Sequence, residues 1–278
     1  MGALVDCRPI QESIKKIIKA TLEEEGLKPI LSIIQVGEDF ASTKYVNQKI
    51  KHATDVGIIP NHVKLPENVT TDKVIDKLLE VQRESNAIIV QLPLPKHIDE
   101  FLVLNHIEST KDADCLTLEN IALLHTGETF VEPCTPQGVI TILDYAEYSL
   151  EGKNVLILGR GYMTGYPLFK MFIDRNCTVT LAHSKSDIDY YTGLKWDIIV
   201  SCVGKPKNFK NLKADWIIDV GINYDENGKM CGDIDTENCE YNFCTPVPNG
   251  VGRLTVASLL LNVLKLSLLQ QNRIVVKG

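Results

Sequence analysis

The sequence predicts an α/β protein of two domains, and three observations support this. The chain has 278 residues, which is long enough for two domains of ordinary size. In the first half, short β-branched apolar runs alternate with segments of helical periodicity. A second series of such runs begins near Lys153. This alternation is typical of a mainly parallel sheet with helices on both faces.

The first series begins with a helix after Pro9, where apolar residues recur at helical spacing as far as Leu22 and Gly26 follows as a stop signal. The run "PILSIIQVG" predicts a buried strand. A helix is predicted over residues 41–56, followed by a strand at "HVKLP". The segment "TTDKVIDKLLEVQRE" starts with a threonine cap and predicts a helix, whereas "AIIVQLPLP" predicts a strand that ends in prolines.

The second series contains four strand-like runs, which are "KNVLILG", "TVTLAHS", "WDIIVSCVG" and "DWIIDVGI". A helix over residues 135–150 is predicted to connect the two halves. The chain closes with an apolar helix over residues 256–270, which we expect to pack back on the first half. The run "RIVV" behind that helix is the candidate for a further strand.

Composition excludes some classes of partner. Hydrophobic residues make up 44% of the chain and charged residues 23%, which is the profile of a soluble globular protein. The net charge of −7 disfavours a nucleic-acid partner. The start, "MGALVDCRPI", lacks the apolar core of a signal peptide, and Asn262 and Lys265 interrupt the apolar run near the end. We therefore expect no nucleic-acid partner, no membrane partner and a cytoplasmic location.

The eight cysteines predict reduced, packed thiols. None belongs to a C-x-x-C pair, and no nearby histidines complete a zinc pattern. We expect no metal site.

The segment "NVLILGRGYMTGYP" predicts a strand, a glycine turn and a helix. Its glycines, Gly159, Gly161 and Gly165, read G-x-G-x-x-x-G, whereas the dinucleotide fingerprint is G-x-G-x-x-G. Such a turn lets the backbone approach a pyrophosphate at the start of a helix. A tight turn without a ligand is the alternative.

The end of the following strand favours NADP over NAD. An NAD site places an acidic residue there, against the ribose hydroxyls. This chain has His183, Ser184 and Lys185 instead, and Arg160 lies within the turn. Hydroxyl and cationic groups suit a 2′-phosphate. A solvated polar strand end is the alternative.

A helix with a lysine carries a second candidate site. Tyr45 and Lys49 are four residues apart and project from one helix face. Gln91 lies at the carboxyl end of a predicted strand, where parallel sheets bind ligands. Asp112 and Asp114 follow in a loop. An ordinary surface lysine is the alternative for Lys49.

These motifs together are similar to one family. The segments "YVNQKIKHATDVGI", "VQLPLP", "KDAD", "PCTPQGV", "GRGYMTGYP", "DVGIN", "GDID" and "TPVPNGVGRLTVA" stand in its order and spacing, over residues 30–260. The chain resembles the bifunctional methylenetetrahydrofolate dehydrogenase/methenyltetrahydrofolate cyclohydrolases. The family turn, G-R-S-x-x-V-G-x-P, explains the unusual glycine spacing.

The resemblance implies a catalytic, folate-binding α/β domain and a Rossmann-like NADP-binding domain with an active-site cleft between them. The first takes residues 1–138, with the C-terminal helix 256–278 packing back on it, and the second takes 139–255. It also implies a cytoplasmic homodimer that acts on tetrahydrofolate derivatives, in one-carbon metabolism and purine biosynthesis.

Site residues carried over by resemblance fall into three groups. The catalytic group is Lys49, Gln91, Tyr45 and Asp114. Folate would be bound by Tyr45, Gln91, Leu92, Pro93, Asp114, Pro246, Val247, Gly250 and Gly252. The cofactor would be bound by Thr135, Gly159, Arg160, Gly161, Thr164, Gly165, His183, Ser184, Lys185, Cys202, Val203, Gly204, Gly221, Ile222 and Thr255.

The chemistry assigns roles within the catalytic group. Opening the methenyl ring needs a base for water, and a lysine serves when burial beside a cationic substrate favours its neutral form. Lys49 is the candidate base, and Gln91 would hold it without adding charge. Tyr45 would stack on the folate, and Asp114 would accept hydrogen bonds from the pterin.

Several positions depart from the family pattern. Cys115 stands where glycine is usual, Gly161 where serine is usual and Thr164 where valine is usual. The family's "TPVPGGVGPMT" has become "TPVPNGVGRLT", which brings in Asn249, Arg253 and Leu254. Three alternatives therefore remain, which are an NADP dehydrogenase of another small substrate, a member with one of the two activities, and a binding or scaffolding protein.

Overall fold

The computed structural model describes residues 2–271 and divides into two compact units. The first unit comprises residues 13–134 and 256–271. The second unit comprises residues 2–12 and 135–255.

The strands and helices alternate along both units. The strands are β1 Ala3–Leu4, β2 Ile30–Val36, β3 Ile59–Leu65, β4 Ala87–Val90, β5 Asn154–Leu158, β6 Thr178–Ala182, β7 Lys195–Ser201, β8 Lys213–Asp219, β9 Asn223–Tyr224, β10 Met230–Cys231 and β11 Glu240–Cys244. The helices are α1 Arg8–Glu24, α2 Phe40–Val56, α3 Thr71–Gln82, α4 Glu100–Leu104, α5 Leu118–Thr126, α6 Cys134–Tyr145, α7 Gly165–Ile173, α8 Ile188–Thr192 and α9 Val251–Gln270.

The first unit is built on a parallel sheet of strand order β3-β2-β4. The central strand β2 is buried on both faces: Leu31 and Ile33 pack in one apolar cluster, whereas Ile34 and Val36 pack in another. The chain leaves β2 toward β3 on one side and later returns as β4 on the other. This reversal is a topological switch point, where the carboxyl ends of the strands leave a crevice for ligands.

The second unit is built on a parallel sheet of order β1-β11-β8-β7-β5-β6. Its switch point lies between β5 and β7, since β6 is on one side of β5 and the later strands are on the other. The short strands β9 and β10 form a separate antiparallel pair. Residues 2–12 belong to this unit because β1 pairs with β11, whereas the sequence places them in the first domain.

Helix α9 is a core helix. Its length and apolar composition would allow a membrane span, but 67% of its most apolar window is buried within the protein. Residues from Leu259 to Leu266 share a core cluster with Ile18, Leu31 and Val46, so this part of α9 belongs to the core of the first unit. The helix begins five residues earlier than predicted, at Val251. The candidate strand "RIVV" lies outside the described residues.

Other differences from prediction involve short or polar elements. Strands β1, β9, β10 and β11 and helices α4, α5 and α8 were not predicted. Helix α6 ends at Tyr145 rather than at residue 150. In β11, "EYNFC", Cys244 is the one fully buried member, so an apolar pattern is nearly absent.

Candidate active site

Lys49 and Gln91 meet at the switch point of the first unit. Lys49 lies on the helix that follows β2, and Gln91 follows β4. The Lys49 side chain is 8% exposed, and its Nζ donates to Gln91 Oε1 at 3.1 Å. Gln91 Nε2 donates to the carbonyl of Leu92 at 2.7 Å, which fixes the orientation of the amide. The buried lysine is therefore held by an uncharged hydrogen-bond acceptor, the side-chain amide of Gln91.

The first turn of α2 is anchored by polar groups that the sequence analysis did not single out. Asp39 caps the helix by accepting from the amide of Ser42 at 2.8 Å. Gln35, 1% exposed in β2, donates to Thr43 Oγ1 at 2.8 Å. His62 donates in turn to Gln35 Oε1 at 3.0 Å. These bonds fix the helix that carries Tyr45 and Lys49, with Tyr45 half-buried on the same face.

The two aspartates of "KDAD" have different roles. Asp112 is 1% exposed and accepts from the amides of Leu116 and Thr117 and from Asn120 Nδ2, so it shapes the loop. Asp114 is half-buried. Burial, and next the charge of Asp114, raise the pKa of the Cys134 thiol, and the charge of Lys49 opposes them. Asp114 and Lys49 therefore act on the same thiol, which the sequence did not single out.

Cys115 occupies a backbone position suited to glycine. Its φ is +57°, in the left-handed region that a residue with a side chain seldom adopts. Its thiol is fully buried and donates to the carbonyl of Val131 at 3.4 Å. This conformation is the physical reason for glycine at this place in the family pattern.

The glycine turn of the second unit brings strand and helix into close contact. Gly159 has φ +112°, and a Cβ on Gly165 would overlap the carbonyl oxygen of Gly159. A Cβ on Gly161 would meet no atom within 4 Å, so serine fits there and the departure from the family costs no packing. Thr164 precedes α7 without capping it through its side chain. The amides of Thr164 and Tyr166 both donate to the Gly161 carbonyl, at 3.3 and 3.2 Å, which orders the turn before α7.

The loop after β7 is held by a buried carboxylate that the sequence did not indicate as a site residue. Asp233 is fully buried, and its Oδ2 accepts from the amides of Val203 and Gly204 at 2.7 and 3.2 Å. Its Oδ1 accepts from the amide of Lys205 at 2.9 Å. Burial raises the pKa of Cys202, at the start of this loop, to about 12, so its thiol stays protonated.

A second buried carboxylate, Asp219, supports Asp233. Its Oδ1 accepts from the amides of Gly221 and Asp233, each at 3.0 Å, and its Oδ2 accepts from the amide of Ile234 at 2.9 Å. Burial raises the pKa of Asp219 to about 7. A Cβ on Gly221 would overlap the Asp233 carboxylate, which explains the glycine of "DVGIN". Ile222, the next residue, is 42% exposed.

The end of β6 has the polar groups that the sequence predicts. His183 Nδ1 accepts from the amide of Lys185 at 3.1 Å, which orders this turn. Ser184, Lys185 and Arg160 are exposed. Asp187, the first carboxylate after β6, accepts from the amide of Tyr190 and so caps α8. This end of the sheet presents hydroxyl and cationic groups, which fit a 2′-phosphate.

The remaining predicted residues of the second unit include those of the loop 245–250. A Cβ on Gly250 would overlap the carbonyl oxygen of Pro246, so the loop turns back on itself there. The Leu92–Pro93 and Val247–Pro248 peptide bonds are cis. Thr135 and Thr255 are brought together, with their hydroxyl oxygens 3.2 Å apart.

The structure thus brings together several of the predicted residues within each unit. The pairs that meet are Lys49 with Gln91, Gly159 with Gly165, and Thr135 with Thr255. Among residues 2–271, no cluster of His, Cys, Asp or Glu has the arrangement of a metal site. All eight cysteines are free, and each except Cys202 is buried.

Comparison with known proteins agrees with this arrangement. The sequence matches the catalytic domain of tetrahydrofolate dehydrogenase/cyclohydrolase over residues 5–114 and the NAD(P)-binding domain of that family over 133–271. A curated relative, the bifunctional protein FolD of Wolbachia sp. subsp. Drosophila simulans, is 39% identical over 272 residues, covering 94% of this chain and 92% of the relative.

Solved structures lead to the same family. The bifunctional FolD enzyme from Campylobacter jejuni has 34% identity and a TM-score of 0.91, covering 99% of this chain and 100% of that one. The enzyme from Trypanosoma brucei, complexed with NADP and an inhibitor, has 33% identity and a TM-score of 0.91, covering 98% and 99%. The chain belongs to the tetrahydrofolate dehydrogenase/cyclohydrolase family.

Proposed function

We propose that the chain oxidises 5,10-methylenetetrahydrofolate to 5,10-methenyltetrahydrofolate with NADP and hydrolyses that product to 10-formyltetrahydrofolate. Both activities are those of its family, and both belong to folate one-carbon metabolism. The observation that carries the proposal is the hydrogen bond between the buried Lys49 and Gln91, which follows β4 at the carboxyl end of that strand. An ordinary surface lysine is exposed and needs no such partner.

In the oxidation, the residues of the chain act by positioning. NADP, when bound, supplies the hydride acceptor, while the folate nitrogens donate the electrons that stabilise the methenyl cation. Tyr45 stacks on the folate ring system, and Asp114 accepts hydrogen bonds from the pterin. Such positioning lowers the activation barrier, because the entropic cost of bringing the two reactants together is met when they bind.

In the hydrolysis, Lys49 takes the proton from the attacking water. The attack forms the bond from oxygen to the methenyl carbon. Opening of the ring breaks the bond from that carbon to N5 of the folate, which takes up the proton that Lys49 removed from water, while the remaining hydroxyl proton of the adduct is released to solvent. Gln91 accepts a hydrogen bond from Lys49 and carries no charge, so it does not favour the protonated amine over the neutral one. A carboxylate in this place would keep the lysine protonated.

Among the cofactor residues proposed from the sequence, Gly159, Arg160 and Gly161 follow β5, and Cys202, Val203 and Gly204 follow β7, the two strands that flank the switch point. The close approach of Gly165 to Gly159 lets an anionic group reach the start of α7, and Arg160, Ser184 and Lys185 suit the 2′-phosphate of NADP. The loop from Cys202 to Gly204 lies beside this turn, since a Cβ on Gly159 would lie 2.8 Å from the Cys202 carbonyl oxygen.

We extend the proposal to a cytoplasmic homodimer that supplies one-carbon units for purine biosynthesis. The family resemblance supports this setting. Size-exclusion chromatography with light scattering would test the dimer, since a mass near 31 kDa would contradict it.

A near-ultraviolet time course tests the two activities. Purified protein is mixed with methylenetetrahydrofolate and either NADP or NAD. We expect reduced cofactor to form faster with NADP, without accumulation of the methenyl product, because hydrolysis keeps pace. Accumulation of both the reduced cofactor and the methenyl product would show a dehydrogenase without cyclohydrolase activity. No reduction of either cofactor would contradict the proposal.

A further inference from the structure

Two departures from the family pattern, Asn249 and Arg253, contact each other. Arg253 Nη2 donates to Asn249 Oδ1 at 2.7 Å, the short distance of a charge-assisted hydrogen bond. The two residues are four apart, one in the loop 245–250 and one in the first turn of α9. Both replacements therefore contribute to one contact.

The same guanidinium of Arg253 also contacts α1. Arg253 Nη1 donates to Gln11 Oε1 at 3.2 Å, and Gln11 Nε2 donates to the Arg253 carbonyl at 3.1 Å. Gln11 is 2% exposed, so this anchor is buried. Arg253 thus ties the exposed Asn249 to the interior of the second unit.

The contact fixes a backbone that would otherwise be free to vary. Asn249 has φ +80°, which asparagine adopts more easily than most residues. Gly250 packs against the Pro246 carbonyl, so the turn between them is compact. A bond to the side chain at the tip of this turn restrains Pro246 and Val247, which lie on the same loop.

We infer that Asn249 and Arg253 form a clamp that holds the loop 245–250 in its folate-binding conformation, so that both are positioning residues for the substrate. The inference rests on the proposed function, in which Pro246, Val247 and Gly250 line the folate site. Neither clamp residue has to touch the substrate. Loss of the clamp would weaken folate binding through disorder of the loop.

The test is a double-mutant cycle on the full-length enzyme. The variants are Asn249→Gly, which keeps the positive φ and removes the acceptor, Arg253→Ala, and the two combined. We expect each single variant to raise the KM for methylenetetrahydrofolate roughly 10- to 150-fold, the range for loss of a hydrogen bond to a charged group. The combined variant should be no worse than the worse single one.

Matched controls separate the clamp from general effects. Asn176→Gly removes another asparagine with positive φ, and Arg175→Ala removes another half-buried arginine of the second unit. Both should leave the KM for folate within about twofold of the parent value. Asn249→Asp keeps an acceptor for Arg253 and should retain the parent KM for methylenetetrahydrofolate.

Three readouts decide the matter. The KM for NADP should change little in the variants, and the melting temperature should change little in Asn249→Gly, which leaves the buried contact of Arg253 with Gln11 in place. A merely structural role would lower the melting temperature of Asn249→Gly and leave its KM for folate unchanged. Effects of the single variants that multiply in the combined one would overturn the clamp. Absence of folate turnover by the parent enzyme would instead overturn the proposed function, and the clamp with it.

Discussion

Replacing Gln91 with glutamate is expected to impair the hydrolysis selectively. The change puts a negative charge 3.1 Å from Lys49 Nζ with almost no change in size. Two unit charges about 4 Å apart attract by about 4 kcal/mol at an effective dielectric constant of 20. Desolvation of the pair reduces this gain, and an opposite charge at such a distance favours the charged form of its neighbour by roughly 1 to 3 pKa units in proteins, a range that includes about 2 kcal/mol.

That energy sets the expected loss of activity. About 2 kcal/mol lowers the fraction of neutral Lys49 roughly 30-fold, and the rate of proton abstraction should fall by the same factor. The dehydrogenase activity requires no base and should fall much less. Raising the pH should recover hydrolysis in Gln91→Glu, because hydroxide removes from the lysine the proton that the neighbouring carboxylate stabilises.

The assay follows decay of methenyltetrahydrofolate in the near ultraviolet, from pH 6 to about 9.5. The upper end of this range lies within about one unit of the ordinary pKa of a lysine side chain. Gln91→Met is the control, since it removes the acceptor and adds no charge. It should lose activity without the recovery at high pH. Hydrolysis by Gln91→Glu at the parent rate, or an equal pH profile for both variants, would refute the proposed role of Gln91.

Three further predictions concern the second unit. Gly165→Ala should lower the melting temperature and abolish NADP binding, because the new Cβ would overlap the Gly159 carbonyl, whereas Gly161→Ala should keep the parent melting temperature. Thermal unfolding with and without NADP checks both, and equal melting temperatures would contradict the packing argument. Asp233→Asn should raise the KM for NADP roughly tenfold and spare that for folate, because an amide placed against the Val203 and Gly204 amides displaces the loop. Equal changes in both KM values would contradict this. The raised pKa of Asp219, about 7, means that the folded protein binds more protons than the unfolded chain between about pH 4 and pH 7. The free energy of unfolding should therefore fall as the pH rises through that window, more steeply than in Asp219→Asn. Parallel curves for the parent and the variant in urea titrations would contradict it.

Local patterns predicted the elements on which the candidate site stands. The spacing of Tyr45 and Lys49 placed both on one helix face, and the apolar run before Gly159 predicted β5 and the turn behind it. These signals are local, because a helix face and a strand-to-turn transition depend on residues close in sequence. The position of Gln91 at a strand end was likewise predicted and brought it to Lys49.

The remainder depends on contacts between distant parts of the chain. Asp233 accepts from amides some 30 residues earlier, and no local pattern indicates such partners. Strand β11 has few buried side chains and is stabilised by pairing with β8 and β1, so its sequence lacks the usual alternation. The contact of Asn249 with Arg253 was not predicted either, because neither departure from the family pattern by itself indicates a partner for its side chain.

A single measurement on Lys49→Met tests the central claim, that Lys49 is the base of the hydrolysis. The enzyme is mixed with methylenetetrahydrofolate and NADP, and the reduced cofactor and the methenyl product are recorded together in the near ultraviolet. Lys51→Met, which alters an exposed lysine on the same helix, is the control. We predict that every reduced cofactor formed by Lys49→Met leaves one methenyl group unhydrolysed, whereas the control accumulates none. Reduced cofactor without methenyl accumulation in Lys49→Met would contradict the assignment of Lys49 as the base.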